Sequence, residues 1–241
     1  AFKSPYDHSS RWAFPGYVYL KNIYTALERG GMLLALKNTV IISGISILLI
    51  VVVGAMAAYP IARNRNRMNN LVKGFIMGVM MIPPLSILVP LYSFMAKVQG
   101  INSYWGMIVT LLTFQLPTSI FLFSSFISSI PIALEEAAAI DGCGPFQTFF
   151  RIIMPQLKPV TASVVIITGV NCWNNYQFAL YLLQSPKIKT ITLAIAGFFS
   201  ADSANVNGAA AAAFLGILPV IVVFLFLQKY FIQGMVDSAI K

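Results

Sequence analysis

The chain has 241 residues, of which 58% are hydrophobic, and its mean hydropathy is +0.80. Charged residues make up 10% of it, against about 25% in a soluble globular domain, so much of its apolar surface must face lipid. A water-soluble enzyme, a disordered chain and a disulfide scaffold are thereby excluded. In a membrane protein the formal net charge of +9 reports orientation before it reports nucleic acid, and no nucleic-acid partner is predicted.

Residues 1–37 precede the first long apolar interval, and we predict that they form an extracytoplasmic N-terminal segment. The segment holds no apolar run long enough for a span and no signal-peptide core. The sequence has no initiator Met and, on this orientation, begins outside the cell. We therefore expect an earlier helix that delivers this segment across the membrane.

Charge-free intervals locate the membrane spans, because a charged side chain at the bilayer centre costs about 2.5 to 3.5 kcal/mol. A helix needs about 20 residues to cross a hydrocarbon core of about 30 Å, and five intervals are long enough. The prediction is an all-α integral membrane protein, a polytopic helical bundle with one transmembrane domain at 38–233. Its five spans are predicted near residues 38–59, 74–95, 104–126, 160–182 and 210–231.

The run Arg63-Asn64-Arg65-Asn66-Arg67, with Lys73 after it, follows the first span. Basic residues concentrate in cytoplasmic loops, so this connection is predicted to be cytoplasmic. By alternation, the loop at 128–155 and the tail at 234–241 are cytoplasmic as well.

Prolines interrupt several spans, most notably as the pair Pro83-Pro84 in the second. Membrane helices tolerate proline, so the pair can be structurally neutral. Alternatively, paired prolines break a helix where it lines a moving pathway. Both interpretations fit the sequence.

The loop at 128–155 contains residues that typically begin and end two short helices. Ser128 or Ser129 can cap the first helix, whose N-terminal half carries the adjacent Glu135 and Glu136. Gly142 stands where this first helix is expected to end.

The second short helix is predicted to begin at Pro145 and to stop at Pro155. It carries an aromatic cluster that includes Phe146, Phe149 and Phe150. Such a cluster on a cytoplasmic loop lies on the bilayer interface, packs on its own helices, or docks into another protein.

These residues resemble a known family. Glu135-Glu136-Ala137-Ala138, then Asp141-Gly142 and Ile153-Met154-Pro155, are similar to the EAA loop of type I ABC importer permeases. Four flanking features resemble the carbohydrate branch of that family, close to its maltose-type second permease subunit. They are Ala57-Ala58-Tyr59 before the Arg-rich turn, Pro83-Pro84, the Trp173-Asn174 pair and the ending Gln228 to Gly234.

Members of that branch usually have six spans, so the resemblance implies that the first is absent from this sequence. The branch commonly has an acidic residue after the Trp-Asn pair, where this chain has Asn175. A role built on a carboxylate at that position is therefore not predicted.

The resemblance implies a coupling helix that sits in a cleft of a cytoplasmic ATPase. Carboxylates for charged contacts, alanines for close approach and phenylalanines for anchorage agree with such docking. Alternatively, the glutamates form a solvated face and the phenylalanines pack internally. The implied ATPase-coupling residues are Glu135, Glu136, Ala137, Ala138, Asp141, Gly142, Phe146, Phe149 and Pro155.

The implied partners are a homologous permease subunit, two ATPase subunits and an extracytoplasmic solute-binding protein, assembled in the bacterial cytoplasmic membrane with its lipid. The chain has no G-x-x-x-x-G-K-[ST] loop, so it is predicted to hold no cofactor, and ATP and Mg are used by the ATPase partners. No catalytic residue and no metal site is predicted, because His8 is the only histidine and the cysteines, Cys143 and Cys172, have no CxxC spacing.

The fourth span contains a polar and aromatic stretch from Asn171 to Gln177. Unpaired amides in lipid are costly, so these side chains are expected to face other helices or an aqueous cavity. On one continuous helix, Asn171, Asn174, Asn175 and Phe178 would share a face, and Trp173 and Gln177 an adjacent one. The predicted substrate path comprises Gln115, Asn171, Trp173, Asn174, Asn175 and Gln177.

Amides beside an aromatic ring suit a neutral polyhydroxy ligand. The alternative is that these residues only hold helices together by hydrogen bonds. The predicted function is that of a non-enzymatic permease subunit of an ABC importer for a sugar or oligosaccharide. Import of another solute, such as an amino acid or peptide, is a second possibility, and a secondary transporter or channel is a third that the uncharged spans disfavour.

Overall fold

The computed structural model of this chain describes residues 2–4, 6–7, 13, 16–29, 31–64, 66–200 and 206–239. In these ranges every regular element is helical, which confirms the predicted all-helical class. The α-helices are α1 (Lys21–Arg29), α2 (Met32–Arg63), α3 (Arg67–Met80), α4 (Leu88–Lys97), α5 (Tyr104–Ser129), α6 (Ala133–Ile140), α7 (Pro145–Gln147), α8 (Met154–Gln156), α9 (Lys158–Trp173), α10 (Gln177–Leu182), α11 (Ile191–Ser200) and α12 (Val206–Ala239). Short 3-10 turns occupy Pro84–Ile87 and Pro186–Ile188, and a π-helical segment occupies Thr148–Ile153.

Among the described residues, three helical stretches are long and apolar enough to cross a membrane by themselves: α2, α5 and Val206–Phe226 of α12. Two further stretches qualify only as bent pairs. One joins α3 to Pro84–Lys97 with a bend of 90°, and the other joins Pro145–Gln156 to α9 with a bend of 74°. The count reaches the predicted five when each bent pair is taken as one span. The second pair, however, begins at Pro145, inside the loop predicted at 128–155, and ends at Trp173, short of the predicted end at residue 182.

The prolines act differently in different helices. Pro83 and Pro84 lie at the 90° bend between α3 and α4, so the pair does break its helix. Pro117 and Pro219, by contrast, lie inside α5 and α12 without ending them. Membrane helices absorb an internal proline when neighbouring groups satisfy the freed carbonyl.

The centre of the bundle is the contact between α2 and α5. Gly54 of α2 faces Ser119 of α5 so closely that an added Cβ would overlap the Ser119 hydroxyl. That hydroxyl donates to the Ile50 carbonyl at 3.0 Å, and Phe123 is fully buried beside it. Small residues that allow close approach are the usual means of helix association in lipid.

The N-terminal end of α2 holds the loop between α10 and α11. The buried Asn38 amide donates to the carbonyls of Lys187 and Lys189 at 3.1 and 3.0 Å, and its oxygen accepts from the Tyr104 hydroxyl at 2.7 Å. The Ile191 N–H donates to Thr39 Oγ1 at 2.8 Å. One turn of α2 therefore positions the loop and the start of α11.

We expect Asn38→Leu to destabilise the protein, because it leaves two carbonyls and one hydroxyl without their partner at a cost of about 1 kcal/mol each. The melting temperature of the purified, detergent-solubilised transporter should fall by about 5 °C or more. Asn70→Leu, on the exposed side of α3, is the matched control and should change it little. Equal melting temperatures for the two variants would contradict this assignment.

Candidate functional site

The first helix of the loop at 128–155 is α6, which begins after Pro131 and ends at Ile140. Gly142 follows with φ +81°, the left-handed conformation in which glycine commonly ends a helix. The Cys143 N–H then donates to the Ala138 carbonyl at 2.9 Å, which satisfies one of the free carbonyls of the last turn.

The predicted serine cap of α6 is wrong. Ile132 occupies the cap position and makes no side-chain cap hydrogen bond. The hydroxyls of Ser128 and Ser129 donate instead to carbonyls of α5, at Ser124 and Phe126, each at 2.8 Å. Because α5 extends through Ser129, both serines belong to its last turn and bond backward along it.

The second helix of the loop begins at Pro145 as predicted, but it does not stop at Pro155. It continues as α7, the π-helical segment and α8 to Gln156, and the chain then turns by 74° into α9. Pro155 lies at the first turn of α8, where a missing N–H costs little.

The predicted coupling residues on α6 divide into two faces. Glu136, Ala137 and Asp141 are exposed, and so is Ile140, at 87% of its surface. Ala138 is buried. A short helix that presents carboxylates and a large aliphatic side chain to its surroundings offers both charged and apolar contacts to a partner.

Glu135 belongs to the inner face and is bound within the chain. Its Oε2 accepts a hydrogen bond from the Tyr59 hydroxyl at 2.7 Å, and its Oε1 accepts one from Arg63 Nε at 2.5 Å. The side chains of Arg63 and Glu135 are only 12% and 14% exposed. The buried Arg63 Nη2 has no acceptor among the described residues.

The phenylalanines of the second helix also divide. Phe149 is buried, with its ring centroid 5.2 Å from that of Tyr59 and 5.0 Å from that of Phe150. Phe146 is 74% exposed. A cavity of about 230 Å³ lies between the C-terminal end of α2 and this helix, lined by Met56, Tyr59, Pro60, Pro145, Phe146 and Phe149.

The polar stretch of the fourth span is not one continuous helix. α9 ends at Trp173 and α10 begins at Gln177, so the predicted shared face of Asn171, Asn174, Asn175 and Phe178 does not form. The Asn175 side-chain oxygen accepts from the Phe178 N–H at 3.2 Å, and the backbone carbonyl of Asn175 accepts from Thr192 Oγ1 at 3.0 Å. Asparagine competes with helical bonding in this way, which explains the break.

The structure brings together two of the predicted path residues from different spans. Asn171 Nδ2 donates to Gln115 Oε1 at 3.3 Å, which joins α9 to α5. Trp173 donates from Nε1 to the Gly216 carbonyl of α12 at 3.1 Å. Asn174 and Gln177 are exposed on either side of the helix break.

Sequence reasoning missed Tyr59 and Arg63 as partners of Glu135. Both residues had been noted, Tyr59 as part of a flanking motif and Arg63 as an orientation signal, and their four-residue spacing places them on one helix face. Within the described residues no group of three or more His, Cys, Asp and Glu side chains could hold a metal ion. His8 and Arg65 lie outside the described residues.

The family of this chain follows from comparison with known proteins. A family model described as "Binding-protein-dependent transport system inner membrane component" matches residues 50–237. The chain belongs to this family. It is therefore an inner membrane transport component rather than an enzyme. The alternative interpretation, a self-sufficient secondary transporter, is not favoured.

Individual relatives are similar over the whole chain. The "Melibiose/raffinose/stachyose import permease protein MelC" of Bacillus subtilis (strain 168) is 43% identical over 100% of this chain and 88% of its own length. The "Multiple sugar-binding transport system permease protein MsmG" of Streptococcus mutans serotype c (strain ATCC 700610 / UA159) is 32% identical over 100% and 88%. The Bacillus subtilis (strain 168) "Arabinooligosaccharides transport system permease protein AraQ" is 29% identical over 90% and 78%.

A solved structure shares the fold. It is titled "Crystal structure of a bacterial ABC transporter involved in the import of the acidic polysaccharide alginate", and it superposes with a TM-score of 0.82 at 19% sequence identity. The match covers 92% of this chain and 83% of that chain. The shared fold confirms the predicted polytopic helical bundle.

We expect Gly142→Ala to loosen α6, because a left-handed conformation costs a residue with a Cβ about 1–2 kcal/mol. Amide hydrogen exchange across residues 133–143 should become about tenfold faster in the purified transporter. Gly144→Ala is the matched control, since Gly144 has φ −73° and both glycines have open space around them. Equal exchange in the two variants would show that Gly142 is not required for the turn.

Proposed function

We propose that this chain is the permease subunit of an ATP-driven importer for a sugar or oligosaccharide, and that it is coupled to a separate ATPase through residues 128–155. The observation that carries this proposal is the exposed face of α6, formed by Glu136, Ala137, Ile140 and Asp141. Buried Ala138 sits on the opposite side, and Gly142 ends the helix. Family membership supports the proposal.

The proposed assembly contains a homologous permease subunit, two ATPase subunits and an extracytoplasmic solute-binding protein. ATP and Mg are used by the ATPase subunits, since this sequence has no phosphate-binding loop. The proposed topology has residues 1–37 outside, the transmembrane domain at 38–233, and the tail at 234–241 inside. The Arg63–Arg67 run after α2 supports this orientation.

Within the loop we assign two roles. Exposed Glu136, Ala137 and Asp141, with the free ring of Phe146, contact the ATPase. Five other members hold the loop in shape, because they are bound or buried within the chain or shape its turns: Glu135, Ala138, Gly142, Phe149 and Pro155.

A sugar is the favoured solute because three similar permeases are named for sugars or oligosaccharides, and because the predicted path residues are uncharged, five amides and one tryptophan. The joined pair Gln115 and Asn171, with exposed Asn174 and Gln177, offers donors and acceptors to hydroxyl groups. Trp173 and Asn175 shape this region through their bonds to α12 and α10. An amino acid or peptide carries charged groups, and the predicted path has no charged side chain to neutralise them.

We expect Glu136→Arg to abolish both uptake and co-purification of the ATPase, because it reverses a charge at the centre of the docking face. Asn70→Arg adds a cation on the same side of the membrane, outside the loop, and should leave both unchanged. Pull-down of tagged permease from membranes, followed by quantification of the ATPase, makes the comparison. Normal ATPase recovery with Glu136→Arg would refute docking through α6.

Gln177→Ala should change the relative uptake rates of melibiose, raffinose, an arabino-oligosaccharide and an amino acid. The change should be about fivefold or more for at least one sugar, because the sugar loses a hydrogen-bond partner in the site. Gln184→Ala is the control, since exposed Gln184 donates only to the nearby Tyr181 carbonyl. Identical rate ratios in both variants would remove Gln177 from the path. Preferential uptake of the amino acid would overturn the sugar assignment.

A further inference from the structure

We propose that Tyr59, Arg63 and Glu135, here called the positioning cluster, make α6 move together with α2 during transport. This inference rests on the proposed function, because it assigns the contact through which a displacement of the coupling helix reaches the spans. Glu135 is in this assignment a positioning residue rather than a docking residue. Its neighbour Glu136 keeps the docking role.

The chain connects α6 to α5 through residues 130–132 and to α7 through residues 141–144. A helix of eight residues between two such short connections can tilt without moving the span behind it. The positioning cluster adds a side-chain connection, from the first turn of α6 to the last turns of α2. Because α6 is held to α2 as well as by its chain connections, it cannot rotate freely about them.

The bonds in the cluster fix orientation as well as distance. Each oxygen of the Glu135 carboxylate accepts from a different donor, the Tyr59 hydroxyl at 2.7 Å and Arg63 Nε at 2.5 Å. Tyr59 and Arg63 are four residues apart and so lie on the same face of α2. Charge-assisted bonds of this length are stronger than neutral ones, and their shielding from solvent distinguishes them from weak surface ion pairs.

Tyr59 also contacts the second helix of the loop. Its ring lies 5.2 Å from that of buried Phe149, at an interplanar angle of 52°. One residue of α2 therefore contacts α6 through its hydroxyl and the π-helical segment through its ring. Both helices of the loop share the same attachment point on α2.

Beyond this point, α2 continues without a break to the opposite side of the bundle. Gly54 and Ser119 hold it against α5, and Asn38 bonds the outer loop at Lys187 and Lys189. Packed helices move as rigid bodies because close-packed interfaces do not deform continuously. A displacement of α6 at the cytoplasmic end is thus transmitted along α2 to the outer loop.

The cluster is not needed to hold the bundle together. The contact between α2 and α5 has its own packing at Gly54, Ser119 and Phe123, far along the helices from Arg63. Loss of the cluster should therefore leave the spans assembled and free only the loop. This separates a positioning role from a general structural one.

The test uses the complete transporter reconstituted in proteoliposomes, with its binding protein and the sugar that the uptake panel identifies. Uptake per ATP hydrolysed is measured together with ATPase recovery and melting temperature. Glu135→Gln should lower uptake per ATP by about tenfold, within the usual range of coupling between sites, while ATPase recovery stays normal. Glu28→Gln, the same change at an exposed glutamate of α1 outside the loop, is the control and should keep the ratio of the unaltered protein.

Two further variants keep the proposal testable if Glu135→Gln fails to assemble. Tyr59→Phe removes one bond but keeps the ring against Phe149, so it should lower uptake per ATP by a smaller factor, about threefold. The exchange of Arg63→Glu with Glu135→Arg should recover most of the uptake per ATP that either single change loses, since the opposite charges still meet.

Unchanged uptake per ATP in Glu135→Gln would overturn the inference, and so would failure of the charge exchange to restore any coupling. A fall in melting temperature with an unchanged ratio would show a merely structural role and would overturn it too. Loss of ATPase recovery in Glu135→Gln would move this residue to the docking face. Failure of the proposed function is distinguishable, because it would appear as normal ATPase recovery with Glu136→Arg.

Discussion

The structure depends on one constraint, which is that lipid offers no hydrogen bonds, so a polar group inside the bundle is costly unless it finds a partner within the protein. The backbone meets this constraint by forming helices. The hydroxyls of Thr39, Thr110 and Thr168 meet it by donating to carbonyls one turn earlier. Asn38 and Asn171 meet it over long range, through bonds to the loop at Lys187 and to Gln115 of α5.

The same constraint explains why the functional regions lie where helices end or break. At residues 174–176 the backbone leaves the helix, and the Asn175 side chain and Thr192 satisfy part of it. At the C-terminal end of α2, the carboxylate of Glu135 replaces water as the partner of Tyr59 and Arg63. Irregular backbone and buried charge persist in such a protein only where specific side chains compensate for them.

Much of this organisation could be predicted from the sequence, because charge is excluded from spans and proline, glycine and acidic residues mark helix ends. The intervals between charges indicated where the long helices α2, α5 and α12 lie, and the position of Gly142 after a short amphipathic run indicated the end of α6. The direction of each glutamate could not be predicted. Glu135 and Glu136 are adjacent and chemically identical, and only the approach of Tyr59 and Arg63 from a distant helix distinguishes the bound one from the exposed one.

The break between α9 and α10 could not be predicted from the sequence for a similar reason. Asparagines inside an apolar run fit equally well a polar helix face or a helix interruption, and the choice depends on Thr192, which lies 17 residues away from Asn175. Phe149 and Phe146 likewise look alike in the sequence. Their separation into a buried and an exposed ring depends on where the end of α2 lies.

The fixed ends of α2 have a consequence for the lipid around the protein. Asn38 is held at one end and Arg63 at the other, which makes a rigid strut of about 37 Å at the helical rise of 1.5 Å per residue. A strut held at both ends cannot adapt to a thicker or thinner bilayer by tilting alone. A mismatch between the hydrophobic length of α2 and the thickness of the bilayer must then be accommodated by the bilayer or by the bundle as a whole. We therefore expect this transporter to respond to membrane thickness.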